Sequence, residues 1–234
     1  MPLEADIGIR LSSVRARVAR AAEAAGRDPR SICLIAVSKT FGIDRVKAAA
    51  AAGQVDFGEN RVQEGLEKIG QAAGLPLRWH LIGHLQSNKA RKAAASFACI
   101  HSIDGADLLR RVDLAAAEER TRPGLLVQVD LAGEPTKHGA RPEDLDEILA
   151  AARECRAARV VGLMLLPPFF DDPEDARPYF RRLRTLRDGL KARGVPSDML
   201  AELSMGMSHD FEVAIQEGAT MVRVGTAIFG ERTP

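Results

Sequence analysis

A lysine that closes an apolar run is a candidate nucleophile. In CLIAVSKT (33–40), apolar residues run from Cys33 to Val37 and are followed by Ser38, Lys39 and Thr40. If this strand merely surfaces, Lys39 points into water, where most lysines are. If it ends in a pocket, desolvation makes the amine a usable nucleophile. The run alone does not choose. Far downstream, LSMGMS (203–208) and VRVGTAIFG (222–230) are rich in glycine and hydroxyls. Backbone N–H groups approach a phosphate closely only where Cβ atoms do not intervene, and Ser204 and Thr226 add hydroxyl donors. Either segment by itself reads as a tight strand-to-helix turn; the two together point to a phosphate. Arg223 lies two residues before Gly225, so both project to one face of a strand. There it would meet an anion, a basic nitrogen or, equally well, a buried ion-pair partner.

A lysine at one strand end and a phosphate seat at another are what pyridoxal 5′-phosphate (PLP) needs: an amine for its aldehyde and a separate anchor for its phosphate. A phosphosugar aldolase or isomerase uses the same two parts, so it stays open on these residues. His80 and His84 are four apart but fall across a predicted strand end, which disfavours a metal pair. Trp79, Phe169 and Phe170 read as packing residues.

The elements that must position these groups alternate regularly. The predicted strands are ICLIAVSK (32–39), VDFGE (55–59), RWHLIG (78–83), ACIHSID (98–104), GLLVQVD (124–130), RVVGLMLL (159–166), AELSM (201–205) and MVRVG (221–225). Between them, apolar residues recur at helical spacing. Asn60 with Gln63 resembles a capping box, Pro142 with Glu143 and Asp144 suits a first turn, and Gly194-Val195-Pro196 suits a stop. Such alternation implies parallel strands joined by right-handed crossovers. Nearly continuous apolar strands favour a closed (β/α)8 barrel, an α/β fold in a single domain over 1–234, with an extra N-terminal helix over 1–27. An open doubly wound sheet is the runner-up, weakened because no G-x-G-x-x-G follows the first strand. In a barrel, chemistry belongs at the carboxyl ends of the strands. Lys39, Glu59-Asn60, His84, Ser102–Asp104, Asp130, Pro167-Pro168, Ser204–Gly206 and Gly225-Thr226 then share one rim.

Bulk properties narrow the function. With 33 Lys+Arg against 32 Asp+Glu, the chain lacks the net positive charge of a bulk nucleic-acid grip. Its three cysteines show no Cys-x-x-Cys spacing, so neither a zinc site nor a disulfide framework is expected. The amphipathic N-terminus lacks a signal-peptide core, and no apolar run reaches the roughly 20 residues of a membrane span. A cytoplasmic protein with no nucleic-acid or membrane partner is expected.

AVSKT, FGENRVQE (57–64), WHLIGHLQSNK (79–89), HSID (101–104), GLMLLPP (162–168), LSMGMS and MVRVGTAIFGER (221–232) together resemble the pyridoxal phosphate homeostasis protein family. The resemblance spans residues 32 to 232 in order. It implies a barrel similar to the N-terminal domain of alanine racemase, with PLP carried as a Schiff base on Lys39. It places the phosphate on Ser204, the Met205 amide, Gly225 and Thr226, and turns Arg223 toward the pyridine nitrogen. Asn60 and His84 match motif positions at the pocket rim. Leu165-Leu166, the second proline of Pro167-Pro168, and His209 depart from common family choices at the pocket edge.

The resemblance further implies cofactor buffering and delivery, with apo forms of PLP-dependent enzymes as recipients and a monomeric carrier without robust catalysis. A racemase-like enzyme of low activity is the alternative. Alanine racemase takes a second base, a tyrosine, from a further domain of its partner subunit. Here the sequence ends four residues after Gly230, so that domain is expected to be absent. Tyr179, the only tyrosine, falls in a predicted outer helix.

Overall fold

The computed structural model describes residues 3–133 and 138–231. Eight parallel strands close into a barrel in sequence order, each neighbour hydrogen-bonded to the next and β8 back to β1. They are β1 (Cys33–Val37), β2 (Asp56–Glu59), β3 (Arg78–Leu81), β4 (Cys99–Ile103), β5 (Gly124–Gln128), β6 (Arg159–Met164), β7 (Glu202–Met207) and β8 (Met221–Val224). Each lies within its predicted run except β7, which extends past it to Met207. Strands β7 and β8 also shift register between Ser204 and Met207, which bears on the site below.

The outer layer comprises α1 (Leu3–Ala24), α2 (Ile43–Ala51), α3 (Val62–Gln71), α4 (Ala90–Ser96), α5 (Ala106–Glu119), α6 (Leu145–Glu154), α7 (Arg177–Ala192), α8 (Phe211–Gln216) and the short α9 (Thr226–Phe229). Helix α1 is the expected extra N-terminal helix; of the predicted span 1–27, residues 1 and 2 lie outside the described residues. Its apolar face, Ile7, Leu11, Val14, Val18 and Ala21, recurs every three or four residues and is buried. It packs on α2, α8 and α9, across the seam where β8 meets β1, and Arg17 Nε reaches Glu212 Oε1 of α8 at 2.6 Å.

The predicted first turn at Pro142 is present as a 3-10 turn leading into α6. Helix α7 stops just before Gly194, whose φ of +88° suits glycine. The capping box at Asn60 does not form. Helix α3 begins at Val62, Arg61 occupies the cap without a side-chain bond, and Asn60 is turned to the barrel mouth instead. Trp79 packs on Phe57 at 5.6 Å in the layer between sheet and helices, as expected. Among the described residues, no helix is long and apolar enough to cross a membrane.

Candidate cofactor-binding site

A cavity of about 440 Å³ opens at the carboxyl ends of the strands, a volume suited to a small ligand. Lys39 at the end of β1 lines it, as do Asn60, His84, Arg223, Gly225 and Thr226. Six of the eight residues expected at the site therefore share one space. The wall between β2 and β3 is tight: a Cβ on Gly83 would lie 2.2 Å from the Asn60 carbonyl, so only glycine permits this approach.

Ser204 and Met205 do not line the cavity. Both are fully buried in β7, and the Ser204 hydroxyl is committed to Arg223 Nη1 at 2.5 Å and His101 Nδ1 at 2.9 Å. The strand runs two residues further than predicted, so the rim groups from β7 are Met207 and Ser208. Gly206, just before them, has a φ of +94°, and a Cβ there would lie 2.6 Å from that of Ala214. Ser208 Oγ accepts the Gly225 N–H at 3.0 Å, joining the two small-residue loops into one seat with Thr226. The repeated serine of LSMGMS was the available signal, but strand length decides which serine reaches the rim.

Beneath the cavity, a directed chain of hydrogen bonds crosses the barrel interior. Arg223 donates to Ser204, Ser204 to His101, His101 Nε2 to His80 Nδ1 at 3.0 Å, and His80 Nε2 to Asp56 Oδ1 at 3.0 Å. This is the one sequence of donors that satisfies every group. Burial, with His80 and Arg223 nearby, holds His101 well below the usual histidine range. Burial also pushes Arg223 down to about 10. Its second terminal nitrogen donates to the Leu165 carbonyl at 2.8 Å, which fixes the guanidinium against the cavity floor. Asp56 is raised by burial, but hydrogen bonds from His80 and Arg78 outweigh that and leave it below the usual carboxylate range.

Aromatic rings frame the mouth. His84 stacks on His138 with centroids 3.6 Å apart, and its Nδ1 lies 3.6 Å from Asp104 Oδ2. Partial burial and the neighbouring imidazole lower His84 despite the carboxylate. His138 is held there by its chain. Val129 bridges to Ala140, Ala140 N–H bonds to the Gln128 carbonyl at 2.8 Å, and the Gln128 amide donates to the His138 carbonyl. Opposite, His209 Nε2 meets the Asp171 carbonyl at 2.9 Å and its ring packs on Phe169. Phe169, read from sequence as a packing residue, is 76% exposed and lines the cavity. Phe170 does pack, against Tyr179 of α7. Ser208 was missed because its placement depends on the length of β7, Gln128 because the predicted run continues past it to Asp130, and His138 because its chain folds back to the rim.

The geometry has close relatives. The family described as alanine racemase, N-terminal domain, matches residues 9–233. A pyridoxal phosphate homeostasis protein of Aquifex aeolicus is 44% identical over 223 residues, 95% of this chain and 97% of the relative. One from Escherichia coli K12 is 42% identical and covers 97% of both chains. The structure of PipY from Synechococcus elongatus with PLP bound superposes with a TM-score of 0.85 at 41% identity, covering 96% of this chain and all of PipY. With the barrel, the rim lysine and likeness along nearly its whole length, this chain belongs to the pyridoxal phosphate homeostasis proteins of the alanine racemase N-terminal domain family.

Proposed function

We propose that the cavity holds PLP and that the protein serves intracellular PLP homeostasis. The observation that carries this reading is the convergence, in one cavity, of Lys39, the Ser208–Gly225–Thr226 seat and Arg223. The donors fit the group. The Ser208 and Thr226 hydroxyls suit a phosphate, while Lys39, at the end of the strand paired with β8, suits an aldehyde. PLP, when bound, supplies that aldehyde and a heteroaromatic ring that can withdraw electrons. Lys39 attaches the group, and β7–β8 anchor it. Arg223, pinned from below by Ser204 and the Leu165 carbonyl, would meet the ring nitrogen as a hydrogen-bond donor. Asn60 and His84 bound the ring from the β2–β3 side. Binding of PLP by PipY, at 41% identity, supports the assignment.

The role is storage and delivery in the cytoplasm, by a monomer, to apo forms of PLP-dependent enzymes. Relatives are named for homeostasis and not for a reaction. An arginine at the ring nitrogen leaves the ring a weak electron sink, which disfavours robust racemisation. Tyr179 is on α7 against Phe170 and is not positioned as a second base at the cavity. The deciding experiment incubates PLP-loaded protein with alanine, serine and lysine in a chiral assay, and separately with an apo-enzyme. Background turnover with transfer of cofactor supports the carrier. Robust turnover that vanishes in Lys39→Ala overturns it in favour of a racemase-like enzyme.

A further inference from the structure

A second lysine is buried beside the first. Lys68 of α3 is 6% exposed and is not among the residues lining the cavity. Its Nζ donates to three oxygens, each at 2.7 Å: the Ser38 carbonyl, Glu59 Oε1 and Glu64 Oε1. An ammonium has three hydrogens, so this one is saturated. The same carboxylates reach back to β1. Ser38 Oγ donates to Glu59 Oε1 at 2.6 Å, and the Thr40 N–H donates to Glu64 Oε1 at 2.6 Å.

The bonded atoms bracket one residue. The Ser38 carbonyl belongs to the peptide group before Lys39 and the Thr40 N–H to the one after it. Both are tied to a single cluster, buried at Lys68 and Glu59 and half-buried at Glu64. Thr40 has a φ of +69°, a left-handed conformation that a β-branched residue rarely adopts. Such strain persists only where the surroundings over-determine it, and it gathers at functional sites. A buried ion cluster is itself weak evidence for stability, since apolar replacements often fold as well. What this cluster does supply is a fixed backbone on either side of the cavity lysine.

We propose that Lys68 is a positioning residue for Lys39, acting with Glu59 and Glu64 to hold the peptide groups on both sides of it. This rests on the reading of Lys39 as the cofactor-binding amine. The two lysines then divide the work. Lys68 spends all its hydrogens on holding backbone and carboxylates, and Lys39 is presented to the cavity.

The test compares Lys68→Met, Glu64→Ala and Glu64→Gln with the parent protein. Glu64→Gln keeps an acceptor for the Thr40 N–H and is the conservative variant. Glu217→Gln serves as a control, because Glu217 joins Arg177, Arg181 and Arg184 in an ion cluster on α7 and α8. Amide hydrogen exchange at Thr40 is read in cofactor-free protein and the PLP dissociation constant by titration, with borohydride reduction and peptide mapping to locate the adduct. Glu64→Ala and Lys68→Met should speed Thr40 exchange and weaken PLP by about tenfold, the scale of one lost hydrogen bond to a charged group. Glu64→Gln should recover most of both, and Glu217→Gln should change neither. If Lys68→Met fails to fold, the Glu64 pair carries the test alone. An adduct on Lys39 with unchanged exchange and affinity in Glu64→Ala overturns the positioning role and leaves the cofactor site standing. So does an equal loss in Glu217→Gln, which marks general loosening. An adduct on another lysine overturns the cofactor site and this inference with it.

Discussion

The two sides of the cavity are built by opposite means. On the β1–β2 side, an ammonium and two carboxylates are drawn together around the backbone that carries Lys39. On the β7–β8 side the groups are neutral: the Ser208 hydroxyl accepts the Gly225 amide at 3.0 Å and the Ala227 amide at 3.5 Å. Removing one member of a buried ion cluster leaves an uncompensated charge, costing about 3–5 kcal/mol. Removing one neutral partner costs about 0.5–1.5 kcal/mol. A covalent attachment needs one side chain in one place, and the protein accepts a high-stakes network to fix it. An anion is satisfied by several interchangeable donors, so that side is distributed and forgiving.

The sharpest way to break this contrast is at Lys39 itself. Lys39→Ala should abolish covalent attachment altogether, with no visible band from lysine-bound cofactor and no adduct after borohydride reduction. Reduced adduct mapping to Lys89 or Lys137 in the parent protein would place the chemistry elsewhere. Next in size is Lys68→Met, which leaves the Glu59 and Glu64 carboxylates without their ammonium and should cost about 3–5 kcal/mol in urea unfolding. A loss no larger than that of Ser208→Ala would erase the difference between the two sides. On the neutral side, Ser208→Ala or Thr226→Ala should each weaken PLP by about one to two decades, as hydrogen bonds to a charged group contribute roughly 1.5–3 kcal/mol. Ser204→Ala should weaken it less, because its hydroxyl reaches the cavity only through Arg223. Equal affinities for the Ser204 and Ser208 variants would remove the reassignment of the seat.

The smallest effect is a pH dependence seated in the interior chain. His101 titrates well below its unfolded range, so below about pH 6.5 the native state binds fewer protons than the unfolded chain. Its contribution to stability is complete above that pH and declines as acid is added. Between pH 7 and 5.5 the loss should be about 1 kcal/mol more in the parent than in His101→Asn, measured as the change in unfolding free energy. Parallel pH profiles would show that the buried imidazole is not what titrates.

Much of this was legible in the residues. Apolar runs of strand length alternate with helical spacing, and parallel strands buried on both faces leave little freedom in how such a pattern closes. Lys39, Gly225 and Thr226 were findable because they sit where a run of one periodicity ends. Ser208 was not: the choice between it and Ser204 turns on two extra residues of β7 and a local register shift, which depend on the neighbouring strand. Asn60 has the composition of a helix cap, yet the close approach of Gly83 draws it into the wall. Lys68 gave no local signal. Its spacing from Glu64 suits an ordinary surface pair on a helix, and only the packing of α3 against β1 and β2 buries it.

The pairing of Val129 with Ala140 has a consequence for how this mouth can be altered. The stem ties His138 to the end of β5: Ala140 donates its N–H to the Gln128 carbonyl, and the Gln128 amide donates to the His138 carbonyl. One residue of β5 thus sets where the second ring of the stacked pair stands, so Gln128→Ala would reshape the mouth without touching either ring.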